Sequence, residues 1–337
     1  MSTLKIMAID DICQRGSVRD TDVAMLRRTF ARDPHLGPSA IEALFRINNL
    51  ARIQDRSWPD FFIETLTDYV VRELEPSGYV TASHAGWLIA RVSTAGRVRT
   101  KTEHDLLRNV IDKARWVPES LLVYSLSQIR DAVANGEGPL RTSGVLPPGT
   151  MTLPEIEQVR QLLFAYGADG PTAISQAEID LLLDIDSAIG PNGEHTFPTE
   201  LEAWTDLLGK AIANAVLAAS GYAAASREEA LREKVPLIAE PRAADSRLTL
   251  VPRHDGVLAC YRQLSAESRA MARLERQRIE IITGEPAAEV EPARLAARLA
   301  GHADTGRVGG VLAALRRAGF DLHPAFGPAG RSAVHAA

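Results

Sequence analysis

The chain has 337 residues, 45% of them apolar, enough to fill the cores of two or three domains. Its 38 basic and 43 acidic side chains leave a formal net charge of -5, which excludes the broad basic field of a nucleic-acid-binding surface. Two cysteines, Cys13 and Cys260, stand far apart without CxxC or Cys/His spacing, so neither a disulfide framework nor a zinc site is expected.

At the start of the chain, Asp10 and Asp11 interrupt what would have to be the apolar core of an export signal. The most apolar stretch, Ala211–Ser220, falls far short of the roughly 20 residues of a membrane span. These features predict a cytoplasmic location and no membrane span. Past this opening the chain repeats itself. Setting Gly16-Ser-Val18 over Gly78-Tyr-Val80, a shift of 62, places Leu26 on Leu88, Phe30 on Val92 and Leu44 on Leu106. A further shift of 71 takes Gly78 to Gly149, Val80 to Met151 and Leu88 to Val159.

Each unit opens on glycine, an apolar residue and a Ser/Thr/Asp-rich step suited to a helix N-cap. A first helix follows with apolar residues at helical spacing, such as Val23, Leu26 and Phe30, and then a turn. The second helix is headed by Glu42, Glu103 or Glu178, whose carboxylates suit the positive end of the helix dipole. The third is expected to start at Trp58, Trp116 or Trp204 and to be anchored by that tryptophan. The linker-like stretch with Pro, Arg and Asp precedes a last helix, turn and helix that contain "ADTGRVGGVLAALRR". The predicted fold is all-α: a pair of three-helix repeats over 1–140, a third over 141–225, a linker over 226–264, a degenerate repeat over 265–326 and a tail over 327–337.

At the turn and acidic helix start, "TAGRVRTKTE", "ADGPTAISQAE" and "DTGRVGG" resemble the TerB-like family of tellurite-resistance domains, whose units carry A-D-G-x-[IV]-x-x-x-E between helices. The resemblance covers about 30 residues in each of three or four places. It implies a compact, cytoplasmic, non-catalytic helical domain of stress response that sometimes binds a divalent cation through acids near the turn. The matching positions are Asp169 and Glu178 in the third unit, Glu103 in the second, Glu42 in the first and Asp304 in the last. Ala95 stands where the second unit should have its aspartate, and Gly309-Gly310 replaces the glutamate of the last.

Ca²⁺ requires six to eight oxygens, and the nearest approach to an EF-hand loop is "DIDSAIGPNGEHTF". There Asp184, Asp186, Asn192 and Glu194 offer oxygens and His195 a nitrogen, but Ala188 and Ile189 occupy ligand positions. A cation site, if the third unit holds one, falls to Asp169, Glu178, Asp184 and Asp186. Otherwise the two aspartates flank a helix end. No cofactor is expected, because no Gly-rich loop carries the Lys-Ser/Thr of a phosphate-binding motif. No Ser, Cys and His are spaced as a catalytic set; Cys13 and Cys260 read as buried inert thiols, and His84 and His104 as solvated or capping. His302 and Asp304 read as a loop pair. The missing carboxylate of the last unit is explained by its value, ~0.3–1 kcal/mol at a helix start against ~1.5–3 kcal/mol for a buried leucine. The sequence therefore predicts a non-enzymatic binding or scaffold module with a protein partner; the alternative is a divalent-metal stress sensor, and a hydrolase ranks last.

Overall fold

The computed structural model describes residues 3–31, 36–141, 144–165, 174–221, 274, 276–285, 290–302 and 306–327. The fold is all-α. Its strands, among the described residues, are two-residue pairs: β1 (Ser17–Val18) lies parallel to β2 (Ile53–Gln54), and β3 (Ser93–Thr94) antiparallel to β4 (Arg97–Val98). No helix among the described residues is long and apolar enough to cross a membrane. The linker expected over 226–264, with Cys260, lies outside the described residues.

A helix not anticipated from the sequence, α1 (Thr3–Arg15), precedes the first unit and packs on α3 (Pro38–Leu50) through Ile9, Ile12 and Cys13. Its Asp10 accepts a hydrogen bond from Arg46 and its Asp11 one from Arg15, both at 2.8 Å. Between them run α2 (Asp20–Phe30) and, after α3, α4 (Ser57–Asp68). The second stretch comprises α5 (Ala82–Val92), α6 (Lys101–Lys113) and α7 (Glu119–Asn135). The third comprises α8 (Leu153–Leu163), α9 (Gln176–Ile189) and α10 (Pro198–Ala219). The last consists of α11 (Pro292–Ala300), α12 (Gly309–Arg317) and a 3₁₀ turn at Pro324–Phe326.

One continuous core links these stretches. The third helix of each lies against the second helix of the next: α4 on α6, α7 on α9 and α10 on α12. Amphipathic helices joined by short turns have this solution available, because each buries its apolar stripe on a neighbour in sequence.

A glycine in the left-handed region opens each of the first three stretches. Gly16 (φ +65) accepts the Arg52 N–H on its carbonyl at 3.0 Å, and Gly78 (φ +88) accepts that of Arg115 at 2.7 Å. At Gly149 (φ +83) the donor is a side chain, the Thr196 hydroxyl at 3.1 Å, which also accepts the Met151 N–H at 3.0 Å. A Cβ on Gly149 would lie 2.9 Å from the Ala188 carbonyl oxygen, so glycine is needed there for space as well as for φ.

The tryptophans divide. Trp58 and Trp204 are wholly buried on the third helices. Trp116 is only half-buried and precedes α7, where it bridges Tyr79 in parallel register. Its counterpart is Ile53, since Arg52 and Arg115 make the same bond to glycine one residue earlier. The site of Trp58 is filled in the second stretch by Leu121, whose N–H reaches Pro118 as that of Trp58 reaches Asp55, each at 3.0 Å. Nor does α10 begin at its tryptophan: it starts at Pro198, and Trp204 sits nearly two turns inside. Glu42, expected to head α3, lies past its first turn and pairs with Arg91 of α5 at 2.9 Å.

Candidate functional site

The chemistry of this chain is concentrated where one stretch meets the next. At the first joint the buried Trp58 Nε1–H donates to Asn48 Oδ1 at 3.1 Å, and the Asn48 amide donates to Glu103 Oε1 at 3.4 Å. The other Glu103 oxygen accepts the N–H groups of Arg99 (3.2 Å) and Thr100 (3.0 Å), while Thr100 Oγ1 accepts the Glu103 N–H at 3.2 Å. This capping box satisfies orphan donors of α6 and hands one oxygen to the neighbouring stretch. At the second joint Ile111 and Leu121 take the places of Asn48 and Trp58, and both are fully buried.

The last joint restores the polar hub with its charges rearranged. Trp204 Nε1–H donates to Asp186 Oδ1 at 2.9 Å, and the same oxygen accepts Arg307 Nε–H at 2.7 Å. Arg307 goes on to the carbonyls of Gly190 (2.7 Å) and Pro191 (3.1 Å), so a guanidinium closes the negative end of α9. Asp186 is completely buried and the Arg307 side chain 8% exposed. The last unit thus lacks the acidic cap and meets a buried carboxylate at its turn. Its turn faces a carboxylate where the turn of the second stretch faces an amide, and a glutamate here would have set two buried carboxylates against each other. Arg307, from the turn before α12, meets that carboxylate instead.

The described residues proposed for a cation, Glu178, Asp184 and Asp186, are each engaged with other partners. Glu178 caps α9, accepting the Ser175 N–H at 2.7 Å, and is 2% exposed. Asp184 is paired with Arg298, and Asp186 with Trp204 and Arg307. Asp186 follows Glu178 by eight positions on α9, a rise of ~12 Å. Asp169 and Asp304 lie outside the described residues, and Asn192, Glu194 and His195 are exposed. Among the described residues no group of three or more His, Cys, Asp or Glu side chains is placed to hold a metal ion.

Further polar residues emerged only in three dimensions. Arg141, the first residue of the expected third repeat, forms a buried two-pronged ion pair with Glu155 at 2.8 and 3.2 Å and donates to the Thr150 carbonyl at 2.6 Å. Arg294 and Arg298 of α11 reach Asp180 at 3.3 and 3.2 Å, and His302 Nε2 lies 3.0 Å from Ser187 Oγ; Asp304 of the expected loop pair lies outside the described residues. The signal in the sequence was the four-residue spacing of Arg294, Arg298 and His302 opposite that of Asp180 and Asp184. Cys13 is buried, which raises its thiol pKa and keeps it protonated.

His104 is fully buried rather than solvated or capping, and neither ring nitrogen makes a well-formed hydrogen bond. Burial pushes its pKa down from 6.5 to about 4, with Arg108 and Lys101 adding to the shift and Asp105 opposing it. The unfolded chain takes up this proton near pH 6.5 and the folded chain only near pH 4, so stability is lost as pH falls through that window. Denaturant titrations at pH 7 and pH 4 are expected to show the native chain losing about 3 kcal/mol more than His104→Leu. Equal losses in the two proteins would remove His104 as the cause.

Two clefts open between first and third helices. One of ≈ 340 Å³ lies between α8 and α10, floored by Ile156, Phe164 and Leu207 and edged by Glu157, Arg160, Asp206 and Lys210. Leu153 lines it with 52% exposure, and Phe197, the residue before α10, is 72% exposed. The other, of ≈ 450 Å³, lies between α2 and α4, where Phe30 stacks on Phe61 with ring centroids 5.9 Å apart and Arg27 sits 5.4 Å above the Phe61 ring. Comparison with protein-family models, curated proteins and solved structures gives no match.

Proposed function

We propose that the chain is a non-enzymatic, cytoplasmic binding or scaffold module of TerB-like kind that holds a protein partner. The observation that carries this reading is the α8/α10 cleft: an apolar floor, a rim of paired charges, and Leu153 of its lining left in solvent, with Phe197, the residue before α10, exposed as well. Apolar side chains exposed at the mouth of an apolar cleft are the usual mark of a surface that another molecule covers. The buried acids support the same reading, since Glu103, Glu155, Glu178 and Asp186 each already hold a structural partner. Glu178, Asp184 and Asp186 are each engaged with a separate partner, which favours this reading over a divalent-cation sensor.

The test is affinity capture from cells that make the protein, using the native chain and Leu153→Ser/Phe197→Ser, followed by titration of the captured protein in pure form. The double variant is expected to lose the partner and to weaken the purified pair by about tenfold or more. Capture of nothing by the native chain, or equal affinity for both, would defeat the reading.

A further inference from the structure

The face made by α9 and α10 is covered by a segment of the same chain, and the manner of covering specifies what else fits there. On α11, Arg294 and Arg298 point at Asp180 and Asp184, and His302 follows one turn on against Ser187. Leu295 and Leu299 of α11, and Val311 and Leu315 of α12, supply the buried apolar side. Val311 comes within 3.9 Å of where a Cβ on Gly209 of α10 would lie, so the two helices approach closely. Arg307 then enters the pocket of Asp186 and Trp204, where Asp186 Oδ2 is buried and still without a hydrogen-bond partner.

This is a helix-in-groove arrangement with charges matched in sequence order, made by a segment joined to α10 through a long stretch of chain: 52 residues separate Gly221 from Leu274. The outer ion pairs of this segment are partly solvated: Arg294 is 65% exposed and Asp184 42%. Contacts of that kind are individually weak and screened by salt. We infer that the α9/α10 face is a receptor for an arginine-bearing amphipathic helix, and that α11 and α12 occupy it as a built-in competitor displaced by a protein partner of the same chemistry. The inference adds a second face to the binding module proposed above and does not use the α8/α10 cleft.

The experiment uses the full chain and a fluorescently labelled synthetic peptide of residues 290–327, read by anisotropy. In the native chain the tethered copy is present at an effective concentration in the millimolar range, so added peptide competes poorly. Arg307→Glu, and separately the surface variant Arg294→Glu/Arg298→Glu, weaken the tethered copy alone and are expected to bind the peptide about tenfold or more tightly than the native chain. Adding Asp180→Lys/Asp184→Lys to either variant should abolish the gain. Circular dichroism identifies any variant that has unfolded, and the surface variant leaves the buried hub untouched. The inference is overturned if neither folded variant binds more tightly than the native chain, or if the gain survives the lysines. Either result, with partner capture through Leu153 and Phe197 intact, leaves the binding-module reading standing.

Discussion

Replacing Arg141 with methionine is expected to cost about 3–5 kcal/mol of folding stability, measured by denaturant unfolding at neutral pH. The side chains of Arg141 and Glu155 are 2% and 0% exposed, so removing the guanidinium leaves a carboxylate without solvent or counter-charge. Glu155 cannot turn away, because its Oε2 also accepts the Thr152 N–H at 3.1 Å and the Thr152 hydroxyl at 2.8 Å at the start of α8. Desolvating an ion pair is itself expensive, and the intact pair adds little net stability over an apolar replacement. Hence Arg141→Met/Glu155→Met should be more stable than Arg141→Met alone by at least about 1.5 kcal/mol, even though the Thr152 N–H loses its cap. A double variant as unstable as the single one would show that the guanidinium acts through its bond to the Thr150 carbonyl instead.

The rearranged hub of the last joint makes the second large prediction. Arg307→Glu sets a carboxylate beside the buried Asp186 and strips the Gly190 and Pro191 carbonyls of their donor, a loss of about 3–5 kcal/mol at that joint. Combining it with Asp186→Asn recreates the amide and carboxylate that meet at Asn48 and Glu103, while Trp204 keeps an oxygen acceptor. The double variant should therefore recover part of the loss, with a coupling of about 1–3 kcal/mol. Hydrogen exchange in α12 gives the opening free energy of each protein and closes the cycle. Additive effects of the two substitutions would mean that Asp186 and Arg307 do not sense each other's charge, and the account of the missing glutamate would fall with that result.

Helix positions were legible in the sequence because apolar residues three and four apart report burial locally. Leu26, Leu44, Leu88, Leu106 and Val159 all lie in the core, and Glu103 and Glu178 close the capping boxes that their distance from Thr100 and Ser175 allows. The glycines at 16, 78 and 149 are likewise local, since each sits where the backbone needs a positive φ. What a tryptophan or a charge meets is not local. Trp116 and Trp58 look alike in sequence, yet the two-residue bridge to Tyr79 takes Trp116 off the helix and leaves Leu121 to fill the core. His104 falls on a polar-looking helix start, and only the packing of the neighbouring helices shuts water away from it. Arg141 finds its acid 14 residues away and Arg307 finds one 121 residues away. Those pairings depend on the angle and register at which whole helices dock, set by the summed fit of many side chains, and no short window of sequence contains that sum.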